Sequence, residues 1–90
     1  MQNYIIRLNV KELMKAQIDQ NIETDKALAK LIGVSPSQVS RAKLPPSDPR
    51  YCSPGTKFIA GVLNLFKGEP FEKFFYVEEV VEEVNEENAS

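Results

Sequence analysis

The sequence predicts a mainly α domain with a short strand at each end, and three observations carry that reading. Apolar residues recur at helical spacing in separate segments, each opened by a residue able to cap a helix. A glycine followed by Ser-Pro, within residues 33–36, ends one helix and starts another almost at once. Runs rich in β-branched and aromatic residues flank the helices, at residues 3–8 and 74–77.

The elements follow in chain order. Tyr4, Ile6 and Leu8 alternate with Asn3, Ile5 and Arg7, which reads as a strand; the alternative is an early start to the first helix. Asn9 with Glu12 three places on has capping-box character, so a helix is expected from near Val10. Val10, Leu13, Met14, Gln17 and Ile18 form its inward stripe, and Lys11 and Lys15 lie on the wet side. Gln20-Asn21 breaks this pattern. Thr24 caps a second helix whose Leu28, Leu31 and Ile32 are expected to face the core, with Lys26 and Lys30 outward. Ala29 is small enough to let two helices pass closely.

Gly33 supplies the positive φ that ends this helix. Ser35 caps the next, and Pro36 costs nothing at its first position because that N–H would be unpaired anyway. Val39 and Ala42 point inward, which turns Ser37, Gln38, Ser40 and Arg41 outward. Four prolines within residues 44–54 then exclude a helix. Ser53 or Pro54 is expected to open a fourth helix with Phe58, Ile59, Val62, Leu63 and Phe66 on its apolar face, and Gly68 to stop it. The end of the chain has two readings. Phe74–Val77 has strand composition and is placed to pair with residues 3–8, whereas Val77, Val80, Val81 and Val84 follow helical spacing. A short strand to Val77, then a weak helix or fraying acidic end, is the expectation. It divides the chain into a domain of residues 1–77 and an acidic tail of residues 78–90.

Residues 24–43, Thr-Asp-Lys-Ala-Leu-Ala-Lys-Leu-Ile-Gly-Val-Ser-Pro-Ser-Gln-Val-Ser-Arg-Ala-Lys, thus spell a helix-turn-helix. The pattern Leu28-Ala29, Gly33-Val34-Ser35 and Val39-Ser40-Arg41 resembles the Cro/Xre-type (lambda-repressor-like) DNA-binding family. Residues 8–20 match that family's first helix, residues 54–67 its fourth, and residues 68–75 the short turn that often ends such domains; about three-quarters of the chain is covered. The resemblance implies a compact domain of four to five helices, with short terminal strands in this chain. It also implies a phage or mobile-element transcriptional regulator, a Cro or repressor relative, that inserts residues 35–43 into the major groove. Asp25 departs from the pattern, since the family commonly has glutamine there beside the DNA phosphates.

Composition narrows the alternatives. Ninety residues make one small domain, and a lone Cys52 forms no internal disulfide, so a cytoplasmic protein is expected. No apolar run reaches membrane-spanning length, and the start lacks a signal-peptide layout. The chain has no histidine, no Gly-rich phosphate loop, no nucleophile elbow and no metal-spaced cysteines; no enzyme, cofactor or metal site is expected. The net charge of −2 is uneven: residues 1–68 hold ten basic against five acidic residues, while residues 69–90 hold Lys73 against eight glutamates. A basic domain with an acidic end suits a partner rich in phosphates.

Arg41, Ser37 and Gln38 are the candidate base readers: arginine pairs bidentately with guanine, glutamine with adenine, and serine with either. A solvated surface arginine and ordinary helix-start chemistry are the competing explanations. Thr24, Lys26, Lys30, Ser35, Ser40, Lys43, Arg50 and Lys57 are the candidate backbone contacts, each alone equally a solubilising residue. A homodimer on a two-fold site is expected, through Leu65, Phe66 and Phe71 or through the 74–77 strand. The glutamates at 78, 79, 82, 83, 86 and 87 either solubilise the end or compete with DNA for the basic face. The rival reading is a protein-binding module, an antirepressor or antitoxin-like partner, which keeps the fold to hold another protein through the acidic tail; the acidic end, the short side chains of the second motif helix and Asp25 favour it.

Overall fold

A computed structural model describes residues 2–81. Their order is β1 (Gln2–Leu8), α1 (Val10–Asp19), α2 (Asp25–Ile32), α3 (Pro36–Ala42), α4 (Thr56–Leu65), α5 (Phe71–Phe74) and β2 (Phe75–Val81). Five helices and one two-stranded antiparallel sheet make a mainly α fold.

Local chemistry sets the helix starts. The Asn9 side chain accepts from the Glu12 N–H, the Thr24 hydroxyl from the Ala27 N–H, and the Ser35 hydroxyl from the Gln38 N–H. Helix α1 therefore begins at Val10, two residues after the start that the family resemblance implies. Helix α4 begins at Thr56 rather than at Ser53 or Pro54, because Pro54 is buried and Gly55 takes the cap position without a side-chain bond. It ends at Leu65, and Gly68 at φ +94° turns the chain further on.

Packing selects among the apolar residues. Leu8, Leu13, Leu28, Ala29, Ile32, Val39, Ala42, Phe58, Val62, Phe66, Phe74 and Phe75 are all buried in one cluster. Full burial of a Val, Leu, Ile or Phe side chain contributes about 1.5–3 kcal/mol, and the packing of Val39 and Ala42 holds a seven-residue α3 that could not persist alone. Of the other expected core residues, Val10, Ile59 and Leu63 are half-buried against it, whereas Met14, Ile18 and Leu31 are 49%, 73% and 56% exposed. The core takes a stripe narrower than the periodicity offers, and Ala29 fills the inward position beside Leu28. Gly61 lets α4 pass against the end of α2, where an added Cβ would collide with the Ile32 backbone and Cβ.

The two chain ends meet. Strand β2 pairs with β1 in a register that runs from Leu8 opposite Phe75 to Gln2 opposite Val81, and the Asn9 N–H donates to the Phe74 carbonyl at 2.7 Å. The strand expected to Val77 runs on to Val81, and the helical reading of Val80 and Val81 is thereby corrected: these residues are extended, because β1 supplies a ladder for their backbone groups. The boundary expected after residue 77 falls inside β2, and residues 82–90 lie outside the described residues. Arg7 pairs with Glu78 on the neighbouring strand, and its guanidinium lies 5.2 Å from the centre of the Tyr51 ring, which holds the proline-rich loop against the sheet. No helix among the described residues is long and apolar enough to cross a membrane.

Candidate nucleic-acid interface

The pair α2–α3 builds the candidate site. Gly33 adopts the left-handed conformation at φ 80°, ψ 31°, and the Val34 N–H returns to the Ala29 carbonyl at 3.0 Å. This closes α2 with a Schellman-type turn. Ser35 then opens α3 through a full capping box: its hydroxyl accepts from the Gln38 N–H at 3.3 Å, and its own N–H donates to Gln38 Oε1 at 2.9 Å. Val39 and Ala42, 0% and 2% exposed, fix the rotation of the helix. Ser37, Gln38, Ser40 and Arg41 are consequently exposed together on its outer side.

Their hydrogen-bonding capacity differs. Among the described residues the exposed Arg41 side chain has no hydrogen-bond or ion-pair partner. Gln38 has lent its carbonyl oxygen to the capping box, and a bidentate adenine contact would compete for the same amide. The Ser37 and Ser35 hydroxyls are 3.3 Å apart, and the Ser40 hydroxyl donates to the Pro36 carbonyl at 3.0 Å. Ser40 is thus a helix-internal bond with an acceptor to spare.

The candidate backbone contacts separate into two groups. Thr24, Lys26, Lys30, Ser35 and Lys57 are exposed, and none of these three lysines is ion-paired among the described residues. Lys43 is different. Its ammonium lies 2.6 Å from Asp25 Oδ1 and 2.7 Å from Gln17 Oε1, with only 15% of the side chain exposed. The carboxylate that departs from the family pattern is therefore neutralised from within. Arg50 is paired as well: its backbone N–H and Nε donate to Asp48 Oδ1 at 2.8 and 3.3 Å, and a terminal amine reaches Oδ2 at 3.2 Å. These bonds, the side-chain ones first, hold the Asp48 carboxyl below its usual range.

Arg41, Arg50, Ser37, Ser40 and Leu44 line one cleft of about 220 Å³ between α3 and the following loop. The loop is fastened there by the Cys52 N–H, which bonds the Arg41 carbonyl at 3.4 Å. Sequence reasoning passed over Gln17 and Asp48. Gln17 looked like one more member of an apolar stripe, yet it is 5% exposed and ties Lys43 to the Ile22 carbonyl. For Asp48 a signal did exist, since Asp-Pro-Arg in a turn favours a carboxylate bonded to the N–H two residues on.

Compared with family models, curated proteins and solved structures, the chain returns no match.

Proposed function

We propose that this chain is a sequence-specific DNA-binding transcriptional regulator with a lambda-repressor-like, Cro/Xre-type domain. The observation that carries the proposal is Arg41, without a side-chain partner among the described residues, on the outer face of α3 beside Ser37 and Gln38, with the opposite face of that helix locked in the core. In this reading α3 enters the major groove, and Arg41, Ser37 and Gln38 meet base edges. Thr24, Lys26, Lys30, Ser35, Ser40, Lys57 and Arg50 meet the sugar-phosphate backbone. Lys43 supports the interface indirectly by cancelling the charge of Asp25. The protein acts in the cytoplasm, where its duplex is accessible.

A homodimer belongs to the same reading. Phe66 and Phe74 are buried within the protomer, while Tyr4, Tyr76 and Val77 on the sheet remain 49–67% exposed. That distribution favours the sheet over α4 and α5 as the self-association surface, because a two-stranded ribbon is marginal by itself. Selection from a randomised duplex pool at about 0.15 M salt tests the proposal, since non-specific attraction is strongly screened there. A half-symmetric enriched motif supports a dimeric regulator, and a pool left unenriched contradicts it.

A second reading, the antirepressor or antitoxin-like protein-binding module, draws on Met14 and Ile18. These exposed apolar side chains line a groove with Ile22, Asn21 and Asp25 that suits a protein partner. The unenriched pool is the outcome that favours it.

A further inference from the structure

Asp48 has no place in the interface described above, and its carboxylate would repel a phosphate if it stood alone. It does not stand alone. Both its oxygens are bonded to Arg50, one to the backbone N–H and to Nε, the other to a terminal guanidinium amine. The carboxylate side chain is only 21% exposed while that of Arg50 is 71% exposed, so the acid faces the loop and the arginine faces outward. Three prolines, Pro45, Pro46 and Pro49, stiffen the loop that carries the pair, and the Cys52 N–H anchors it to the Arg41 carbonyl. The outcome is two guanidiniums of different kinds on one cleft: Arg41 on the helix, without a side-chain partner among the described residues, and Arg50 on the loop, held by Asp48.

We propose that Asp48 is a positioning residue. It orients Arg50 so that Arg50 holds a single phosphodiester of the duplex on the loop side of α3, in the same cleft as the base-reading Arg41. This rests on the DNA-binding reading and deepens it. An oriented phosphate contact fixes register on the duplex and carries no base information, so its effect falls on the correctly docked complex. Non-specific binding accepts a phosphate in any orientation and needs no such fixing. The Asp48 charge meanwhile subtracts from the attraction that every DNA sequence feels.

The test uses the full chain and two duplexes, one carrying the motif selected from the randomised pool and one scrambled. Asp48→Asn keeps an oxygen to accept the Arg50 N–H, and so keeps the turn, but loses the ionic hold on the guanidinium. The expected result is roughly tenfold weaker binding to the selected duplex, the size of losing one good paired contact. Binding to the scrambled duplex stays the same or tightens, with a salt dependence steeper by about one phosphate. In an Arg50→Ala background the same change has no further effect on discrimination. Arg50→Lys, which leaves Asp48 and the turn in place, gives the same loss of discrimination and keeps the test decisive if Asp48→Asn lowers stability. Equal weakening on both duplexes, or an effect that persists without Arg50, overturns the proposal. A wild-type chain that discriminates while Asp48→Asn and Arg50→Lys discriminate equally well overturns it alone. A wild-type chain that fails to discriminate overturns it together with the DNA-binding reading.

Discussion

Lys43 closes a bond between the two ends of the α2–α3 pair: its ammonium sits 2.6 Å from the carboxylate of Asp25, the first residue of α2, while its backbone caps the end of α3. The contact joins residues eighteen apart in sequence and recruits Gln17 of α1. It lies partly out of water, between the regime where an ion pair is worth little and the one where breaking it is costly.

Asp25→Asn therefore has two opposed effects. Stability should fall by about 1 kcal/mol, because the half-buried ammonium exchanges a charged partner for a neutral amide oxygen. DNA affinity should rise, with a salt dependence steeper by about one phosphate, because a repulsive charge is gone and the charge of Lys43 is no longer cancelled. Denaturant melts and salt-dependent titrations read the two separately. Lower affinity at unchanged stability would contradict this assignment of Lys43.

Gly61 sets the distance between α2 and α4. Gly61→Ala places a methyl group against Ile32, where backbone rather than a flexible side-chain end is in the way. Overpacking of this kind costs about 1–3 kcal/mol, which for a domain of this size lowers Tm by roughly 4–8 °C per kcal/mol. Thermal unfolding followed by circular dichroism gives the number, and an unchanged Tm would mean that the helices are not in contact there.

The Asp48–Arg50 pair makes a pH prediction. The Asp48 carboxyl titrates below its ordinary value of 3.8 in the folded chain, so its contribution is present above that value and is lost as pH falls through the lower one. Between about pH 5 and 8 the pair adds no pH dependence. Carboxyl-carbon NMR titration should place the midpoint below 3.8, and Arg50→Ala should raise it, leaving only the part due to the N–H of residue 50. A midpoint at or above the ordinary value would argue against the pair.

Cutting the acidic end at two places separates its roles. Removal of residues 82–90 should leave the sheet in place and tighten DNA binding several-fold, since four glutamates leave with it. Removal of residues 78–90 also strips the partners of residues 2–5 from β1 and the Glu78 bond to Arg7, so it should lower stability in addition. Equal or weaker DNA binding after the shorter cut would leave the tail a solubilising end only.

How much could be read beforehand depends on the range of the interaction. The caps at Asn9, Thr24 and Ser35 and the left-handed Gly33 are decided by a few neighbouring residues, and they are where the chain was expected to place them. The inward turn of Val39 and Ala42, and with it the outward face of α3, follows from helical geometry once the start is known. Periodicity misled where a partner arbitrates. Val77, Val80 and Val81 fit a helix as well as a strand, and the backbone of β1 decides. Met14, Ile18 and Leu31 fit their stripes, but nothing among the described residues covers them fully. Lys43 counted as one more basic residue because only the folded chain brings Asp25 and Gln17 to it.

The measurement that bears most directly on the central claim is the binding of wild type and Arg41→Ala to the selected duplex and to its single base-pair variants. If α3 reads the major groove through Arg41, the substitution costs about 1–3 kcal/mol on the selected duplex and removes discrimination at one base pair in each half-site. A uniform loss on every duplex, with the preference at each position intact, would make Arg41 a phosphate contact and contradict the account.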